Sequence, residues 1–91
     1  MRSYEYAAIK QTLDAYEGNE EGFKSLMNSI VTFGAQDRHD RSAFMREVAA
    51  ANEVGTSTVE RWMTGLSIPL QGIRKLILES SFACILSGRS A

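Results

Sequence analysis

The sequence predicts an all-α fold, a compact domain of five helices formed by residues 1–91. Apolar residues recur at spacings of three and four from one end of the chain to the other, which is the helical period. No stretch alternates apolar and polar residues as a half-buried strand does. The 91 residues include 44% hydrophobic side chains and one proline, a size and composition typical of a single small globular domain.

The first two helices are predicted from separate apolar stripes with a glycine between them. One face of a helix over roughly residues 3–17 carries Tyr6, Ile9, Leu13 and Tyr16. Gly18 ends this helix, and Asn19 can cap the next one. The stripe of the second helix, which ends near Gly34, is Phe23, Leu26, Met27 and Ile30. Residues 1–18 therefore form an additional N-terminal helix beside a core made by residues 19–91.

The third and fourth helices are short. A polar, aperiodic loop over residues 35–41 precedes the third helix, which Asp40 or Ser42 can cap. Its inward side chains are Phe44, Val48 and Ala49. The fourth helix starts at Thr56 or Ser57 and ends at Gly65. It turns Val59, Trp62 and Met63 inward, and Trp62 is expected to fill the space between the fourth and fifth helices.

The fifth helix is predicted to open at Ser67-Ile68-Pro69, because proline is tolerated in a first helical turn. Apolar residues occupy more than one of its sides: Leu70, Ile73, Leu76, Ile77, Leu78, Phe82, Ile85 and Leu86. A helix that is apolar nearly all round is buried within its domain or against another subunit. We therefore expect this helix to belong to the core, to a subunit contact, or to both.

Composition and charge exclude several classes of function. The net charge is -1, with three basic and five acidic side chains in residues 1–33 against seven and six in residues 34–91. No apolar run approaches the roughly 18 residues of a membrane span, and the N-terminus lacks the apolar core of a signal peptide. The lone Cys84 is expected to be a buried apolar group in a cytoplasmic protein. With one histidine, His39, in a loop, we expect no catalytic set, no metal site and no cofactor.

Residues 44–69, FMREVAAANEVGTSTVERWMTGLSIP, contain two short helical segments around Asn52-Glu53-Val54-Gly55. This stretch resembles the helix-turn-helix of the phage-repressor family, also called Cro-like or XRE. The matching positions are the small Ala49, the apolar Val54, the branched Val59, and the closing Arg61, Trp62, Gly65 and Pro69. Two positions differ from the family pattern, with Glu53 where glycine is usual and Asn52 where an apolar residue is usual. Asparagine tolerates left-handed backbone angles, so we expect a turn of altered shape.

The resemblance implies a small sequence-specific regulator of transcription, a dimeric repressor whose fourth helix reads the major groove of double-stranded DNA. Such regulators are frequent in phage genomes. By position, the resemblance places Thr56, Ser57, Glu60 and Arg61 on the groove-facing surface. Arg61 would make a bidentate hydrogen bond to guanine. Gly55 would let the backbone and the hydroxyls of residues 56–58 approach phosphates or base edges. The complete set of expected DNA-binding residues is Arg38, Arg41, Arg46, Gly55, Thr56, Ser57, Thr58, Glu60 and Arg61.

Other interpretations stay open at the level of the residues. Ser57 followed by Glu60 has the spacing of a capping box, which favours capping over acceptance from a cytosine amine. Arg61 could instead be a solvated arginine paired with a glutamate, but DNA contact is favoured because Val59 and Trp62 already take the inward face of the helix. Arg38, Arg41 and Arg46, the candidate phosphate contacts, are equally compatible with solvated side chains. A helical protein-interaction module, or an antitoxin-like partner protein with little DNA binding, suits the acidic balance. It also suits the lack of basic residues just after the fourth helix, where Arg74 and Lys75 are the nearest replacements.

Overall fold

A computed structural model describes residues 2–87 and contains five α-helices, with no strand among these residues. Met1 and residues 88–91 of the predicted domain lie outside the described part. The five-helix all-α fold predicted from the periodicity is confirmed. The helices are α1 (Arg2–Asp14), α2 (Glu20–Ala35), α3 (Arg41–Ala51), α4 (Thr56–Thr64) and α5 (Gln71–Ser87).

Helix starts follow the expected capping residues. The Asn19 side-chain oxygen accepts from the Gly22 amide at 2.8 Å and caps α2. Asp40, rather than Ser42, caps α3 by accepting from the Ala43 amide at 2.8 Å. In each case one of the amides that a helix N-terminus leaves unpaired is satisfied locally. Local sequence therefore fixes where these two helices begin.

The central helix is α2, which packs against each of the other four. Its stripe is buried as predicted, with Phe23, Met27 and Ile30 fully inaccessible to solvent. Trp62 of α4 meets the Phe23 ring edge-on, with centroids 5.9 Å apart. Trp62 belongs to the core as expected, but the helices that neighbour α4 are α2 and α3, and the backbones of α4 and α5 do not approach each other within residues 2–87.

The fifth helix begins later than expected. Pro69 precedes α5, which starts at Gln71, so the prediction of a helix opening at Ser67-Ile68-Pro69 is wrong. The Arg74 side chain of α5 stabilises this connection. Its Nε donates to the Pro69 carbonyl at 2.7 Å and its Nη1 to the Gly18 carbonyl at 2.6 Å. Leu70 then accepts from the Ile73 amide at 3.1 Å as the first turn forms.

The apolar character of α5 is divided between the core and the surface. Ile77, Leu78 and Ile85 are buried against the rest of the domain, whereas Leu76 and Leu86 are exposed. None of the helices within residues 2–87 is long and apolar enough to cross a lipid bilayer. One side of α5 therefore packs on the core, while apolar side chains on another side stay exposed.

Candidate functional site

The turn between α3 and α4 contains one left-handed residue, and it is Glu53. Its φ is 57°, while Asn52 keeps a φ of -104°. The Val54 amide closes the turn by donating to the Ala49 carbonyl at 2.9 Å. The left-handed conformation therefore falls at the position where the resemblance expects glycine, and Asn52 does not take that role.

Asn52 instead ties the turn to α5. Its side-chain amide donates to the Val48 carbonyl at 2.9 Å and to the Ser81 hydroxyl at 3.2 Å. Ser81 is fully buried and donates in turn to the Ile77 carbonyl at 2.7 Å. Buried polar groups need such partners, so this relay explains a polar residue at a turn position where an apolar one was expected.

The amino end of α4 has a backbone cap. Gly55 is the N-cap residue and supplies no side chain, and its carbonyl accepts from the Thr58 amide at 3.1 Å. Ser57 lies inside the helix, so the expected capping box of Ser57 and Glu60 is wrong. The side chains of Thr56, Ser57 and Glu60 are all exposed, and none of them is occupied with capping.

The opposite side of α4 is fixed to the domain. Val59, Trp62 and Met63 are buried. The Asn28 side chain of α2 donates to the Met63 carbonyl at 2.8 Å, which satisfies one of the carbonyls that a helix C-terminus leaves unpaired. Gly65 ends the helix with a φ of 83°. The inward side of α4 is therefore fixed against the core, and the opposite side of the helix faces solvent.

The exposed side of α4 and two arginines of α3 form one surface, called here the α4 face. Glu60 lines two neighbouring depressions of this surface, one with Arg46 and Thr56 and the other with Arg41 and Arg61. The Nη2 atom of Arg41 lies 3.9 Å from the Met63 sulfur, which keeps this arginine beside α4. The members of the α4 face are Arg41, Arg46, Thr56, Ser57, Glu60, Arg61 and Thr64.

Most of the residues expected from the sequence come together here. Thr64 was missed, although it follows Glu60 by four residues and so shares its side of a helix. Thr58, which was expected, is only half-exposed beside the N-cap residue Gly55. The α4 face carries three arginines and one glutamate, so it is locally cationic in a chain whose net charge is -1.

Arg38 is directed into the protein and away from the α4 face. Its guanidinium pairs with both carboxylate oxygens of Glu47 at 2.6 and 2.7 Å and donates to the Cys84 carbonyl at 2.7 Å. It also lies 5.0 Å from the centroid of the Phe44 ring. The side chain is only 8% exposed, and the Glu47 hydrogen bonds raise its pKa further above the usual value. We therefore leave Arg38 out of the candidate site.

Arg74 and Lys75 serve the α1 side of the domain. Arg74 binds the Gly18 carbonyl and lies 3.6 Å from the Glu20 carboxylate, and the Lys75 ammonium donates to the Asp14 carbonyl at 3.3 Å. Both cations therefore bind residues in or next to the connection from α1 to α2. They do not replace the basic residues that the sequence lacks after α4.

Cys84 and His39 take the positions expected of them. The Cys84 thiol is buried beside the Ser80 carbonyl at 3.5 Å, and burial raises its pKa. A thiol whose pKa is raised is a poor nucleophile near neutral pH. His39 is exposed in the loop before α3. Neither residue lies on the α4 face.

No protein-family model, curated protein or solved structure matches this chain.

Proposed function

We propose that the protein is a small sequence-specific DNA-binding regulator in which α4 enters the major groove. The observation that carries this proposal is the α4 face itself. A helix of nine residues is fixed from behind by Val59, Trp62 and Met63 and turns an exposed row of polar side chains outward. Two short helices around a tight turn, with the second one outermost, are typical of a helix-turn-helix that docks on DNA.

Each part of the α4 face has a matching chemical group on a DNA duplex. Arg61 can donate two hydrogen bonds to the O6 and N7 atoms of a guanine. The hydroxyls of Thr56 and Ser57 can reach base edges or phosphates, and the backbone amides of these two residues, which no side chain caps, attract phosphate oxygens. Arg41 and Arg46 flank the helix as phosphate contacts. Their charge supports binding locally although the whole chain is slightly acidic.

A mobility-shift experiment tests the proposal. The protein is mixed with the DNA that flanks its gene and with a random-sequence duplex library, over a series of salt concentrations. We expect a retarded band that weakens steeply with salt, because phosphate contacts release counterions. Absence of a retarded band at low salt on every duplex would contradict the proposal.

Arg61→Ala is the decisive variant in this experiment. We expect its preference for the selected site over other sequences to fall by about 1–3 kcal/mol, the usual worth of a bidentate contact to guanine. Lys10→Ala is the matched control, because Lys10 is an exposed cation of α1, a helix that packs on α2 and α5 and not on α3 or α4 within the described residues. Circular dichroism of both variants should equal that of the parent. Unchanged selectivity in Arg61→Ala would remove this residue from the site.

The proposed regulator acts as a homodimer in the cytoplasm. A single helix-turn-helix contacts few base pairs, so two copies on half-sites about 34 Å apart provide the needed affinity. The exposed apolar residues of α5 favour this helix over α1 as the dimer contact, because the exposed face of α1 carries a single large apolar residue, Tyr4, within the described side chains. We call the exposed apolar side of α5, formed by Ile73, Leu76, Ala83 and Leu86, the α5 face.

A second candidate function is a protein-interaction module, and one observation favours it. A shallow groove follows the contact between α1 and α2, with Ala8, Ile9 and Ser29 shared by its two halves. Its ends carry the acidic side chains of Glu5 and Glu17. An antitoxin-like protein would bind a partner through such a groove. This reading predicts tight binding of another protein and no retarded DNA band at any salt concentration.

A further inference from the structure

Glu60 occupies the centre of the α4 face. It is the one residue that lines both depressions of this surface, with Arg46 and Thr56 on one side and Arg41 and Arg61 on the other. A carboxylate is an unexpected group at the centre of a surface proposed to bind DNA. It is repelled by the phosphates, and it can only accept hydrogen bonds.

The Glu60 carboxylate makes no polar contact that would stabilise the fold within residues 2–87. The α4 helix is capped by the Gly55 backbone, without a side-chain hydrogen bond. Three arginines stand within the same two depressions, yet the described part of the chain gives Glu60 no salt bridge and no hydrogen bond. The side chain is exposed. Its acceptor oxygens are thus available to a ligand.

The major groove offers such a carboxylate one well-matched group. Guanine presents two acceptors there and thymine a carbonyl oxygen, which all repel it. Adenine presents an amine beside the N7 acceptor. Cytosine presents its N4 amine as a donor with no neighbouring acceptor of its own. An exposed carboxylate on a groove-entering helix therefore discriminates in favour of cytosine.

We propose that Glu60 determines part of the sequence specificity by accepting a hydrogen bond from the N4 amine of a cytosine. The inference rests on the proposed DNA-binding function. Arg41, Arg46 and Arg61 line the same two depressions as Glu60, and their positive charges offset the repulsion between its carboxylate and the phosphates. Glu60 lowers affinity for most sequences and leaves it high only where a cytosine meets α4.

Selection of binding sites from a random duplex library tests this role. The parent, Glu60→Gln and Glu17→Gln are each selected in parallel, and their affinities for the parent site and for non-specific DNA are then measured. Glu17→Gln removes the same charge from the exposed connection between α1 and α2 and serves as the matched control. The parent site is also made with the selected cytosine replaced by thymine, which turns the donor into an acceptor.

We expect the parent to select cytosine at one position of each half-site and to lose about tenfold in affinity when thymine replaces it. Glu60→Gln should select cytosine there no longer, bind non-specific DNA more tightly, and tolerate thymine, because an amide can donate to the thymine oxygen. Glu17→Gln should behave as the parent does. A parent that retards no DNA contradicts the proposed function itself.

Two outcomes overturn the inference while leaving DNA binding intact. In the first, Glu60→Gln selects the same sequence as the parent with the same preference at every position. In the second, Glu60→Gln binds all sequences more tightly by one common factor, which is the behaviour of a charge that only repels phosphate.

Discussion

Glu53 is held in a left-handed backbone conformation, with a φ of 57°, at the turn that positions α4. A residue with a Cβ atom is strained there by about 1–2 kcal/mol, whereas glycine adopts the conformation freely. The turn nevertheless closes, through the hydrogen bond from the Val54 amide to the Ala49 carbonyl. Tertiary packing of the two helices on α2 thus overrides the preference of this residue.

The first prediction concerns this strain. Glu53→Gly should stabilise the protein by about 0.5–1 kcal/mol, because relief of the strain exceeds the extra chain entropy that glycine has when unfolded. Glu53→Ala is the control, since it removes the charge but keeps the Cβ atom, and it should gain nothing. Urea unfolding followed by the fluorescence of Trp62, the one tryptophan, measures both. Equal stability of the two variants would show that strain at Glu53 is not the cause.

At the scale of helices, the contact between α2 and α3 depends on a glycine, which has no side chain. Gly34 of α2 faces the fully buried Phe44 ring, and a Cβ atom at this glycine would lie 2.3 Å from the ring. Arg38 covers the same ring at 5.0 Å and pairs with Glu47 of α3. The ring has no room to move, so the close approach of these helices requires glycine.

The second prediction compares two helical glycines. Gly34→Ala should destabilise the protein by about 1–3 kcal/mol, the usual effect of overpacking a core. Gly72→Ala in the first turn of α5, where an added Cβ would meet nothing within 4 Å, should leave stability unchanged or raise it by up to about 1 kcal/mol. Thermal unfolding by circular dichroism distinguishes them. A Gly34→Ala variant as stable as the parent would contradict the close approach.

At the scale of the whole molecule, the α5 face is an apolar surface that the described part of the domain leaves uncovered. Leu76 is 64% exposed, and Ile73 and Leu86 are about half exposed. Large exposed apolar patches on soluble domains are typical of interaction surfaces. In the proposed dimer a second copy would cover this face by two-fold symmetry, since the same helix then supplies both sides of the contact.

The third prediction follows from that symmetry. The parent should be a dimer at micromolar concentration by light scattering, and Leu76→Glu should be a monomer with unchanged helicity, because two buried carboxylates would face each other near the axis. Tyr4→Glu is the control on α1, where the residue is 80% exposed, and it should remain a dimer. If Tyr4→Glu alone dissociates, α1 supplies the contact. A monomeric parent would contradict the dimer.

Weakened DNA binding should accompany loss of the dimer. Leu76→Glu retains the α4 face, so it should still bind a single half-site weakly while losing the high affinity for a pair of half-sites. Mobility shifts on duplexes with one and two half-sites measure this difference.

Local features of the chain predicted much of the fold. The stripe of α2 and the cap Asn19 could be read from the sequence, and Asp40 was one of two candidate caps for α3, since caps and helical periodicity involve residues at most a few positions apart. The exposed row of α4 followed in the same way, because Val59 and Trp62 must face the core and Arg61 and Glu60 must therefore face outward. The cap of α4 was mistaken, because the N-cap position falls at Gly55, which has no side chain, and Ser57 lies inside the helix.

By itself, then, the amino-acid sequence determined that there are five helices, which residues face inward on α2 and α4, and most of the residues that α4 presents. Only the tertiary structure decided which charged side chains reach the surface. Arg38 binds a carbonyl 46 residues away in the chain, and Arg74 binds one 56 residues away. Such partners are brought together by the packing of helices on α2 and leave no periodic or neighbouring signal. The binding partner of a charged side chain such as that of Arg38 or Arg74 therefore cannot be predicted from the sequence alone, because the packing of the core decides it.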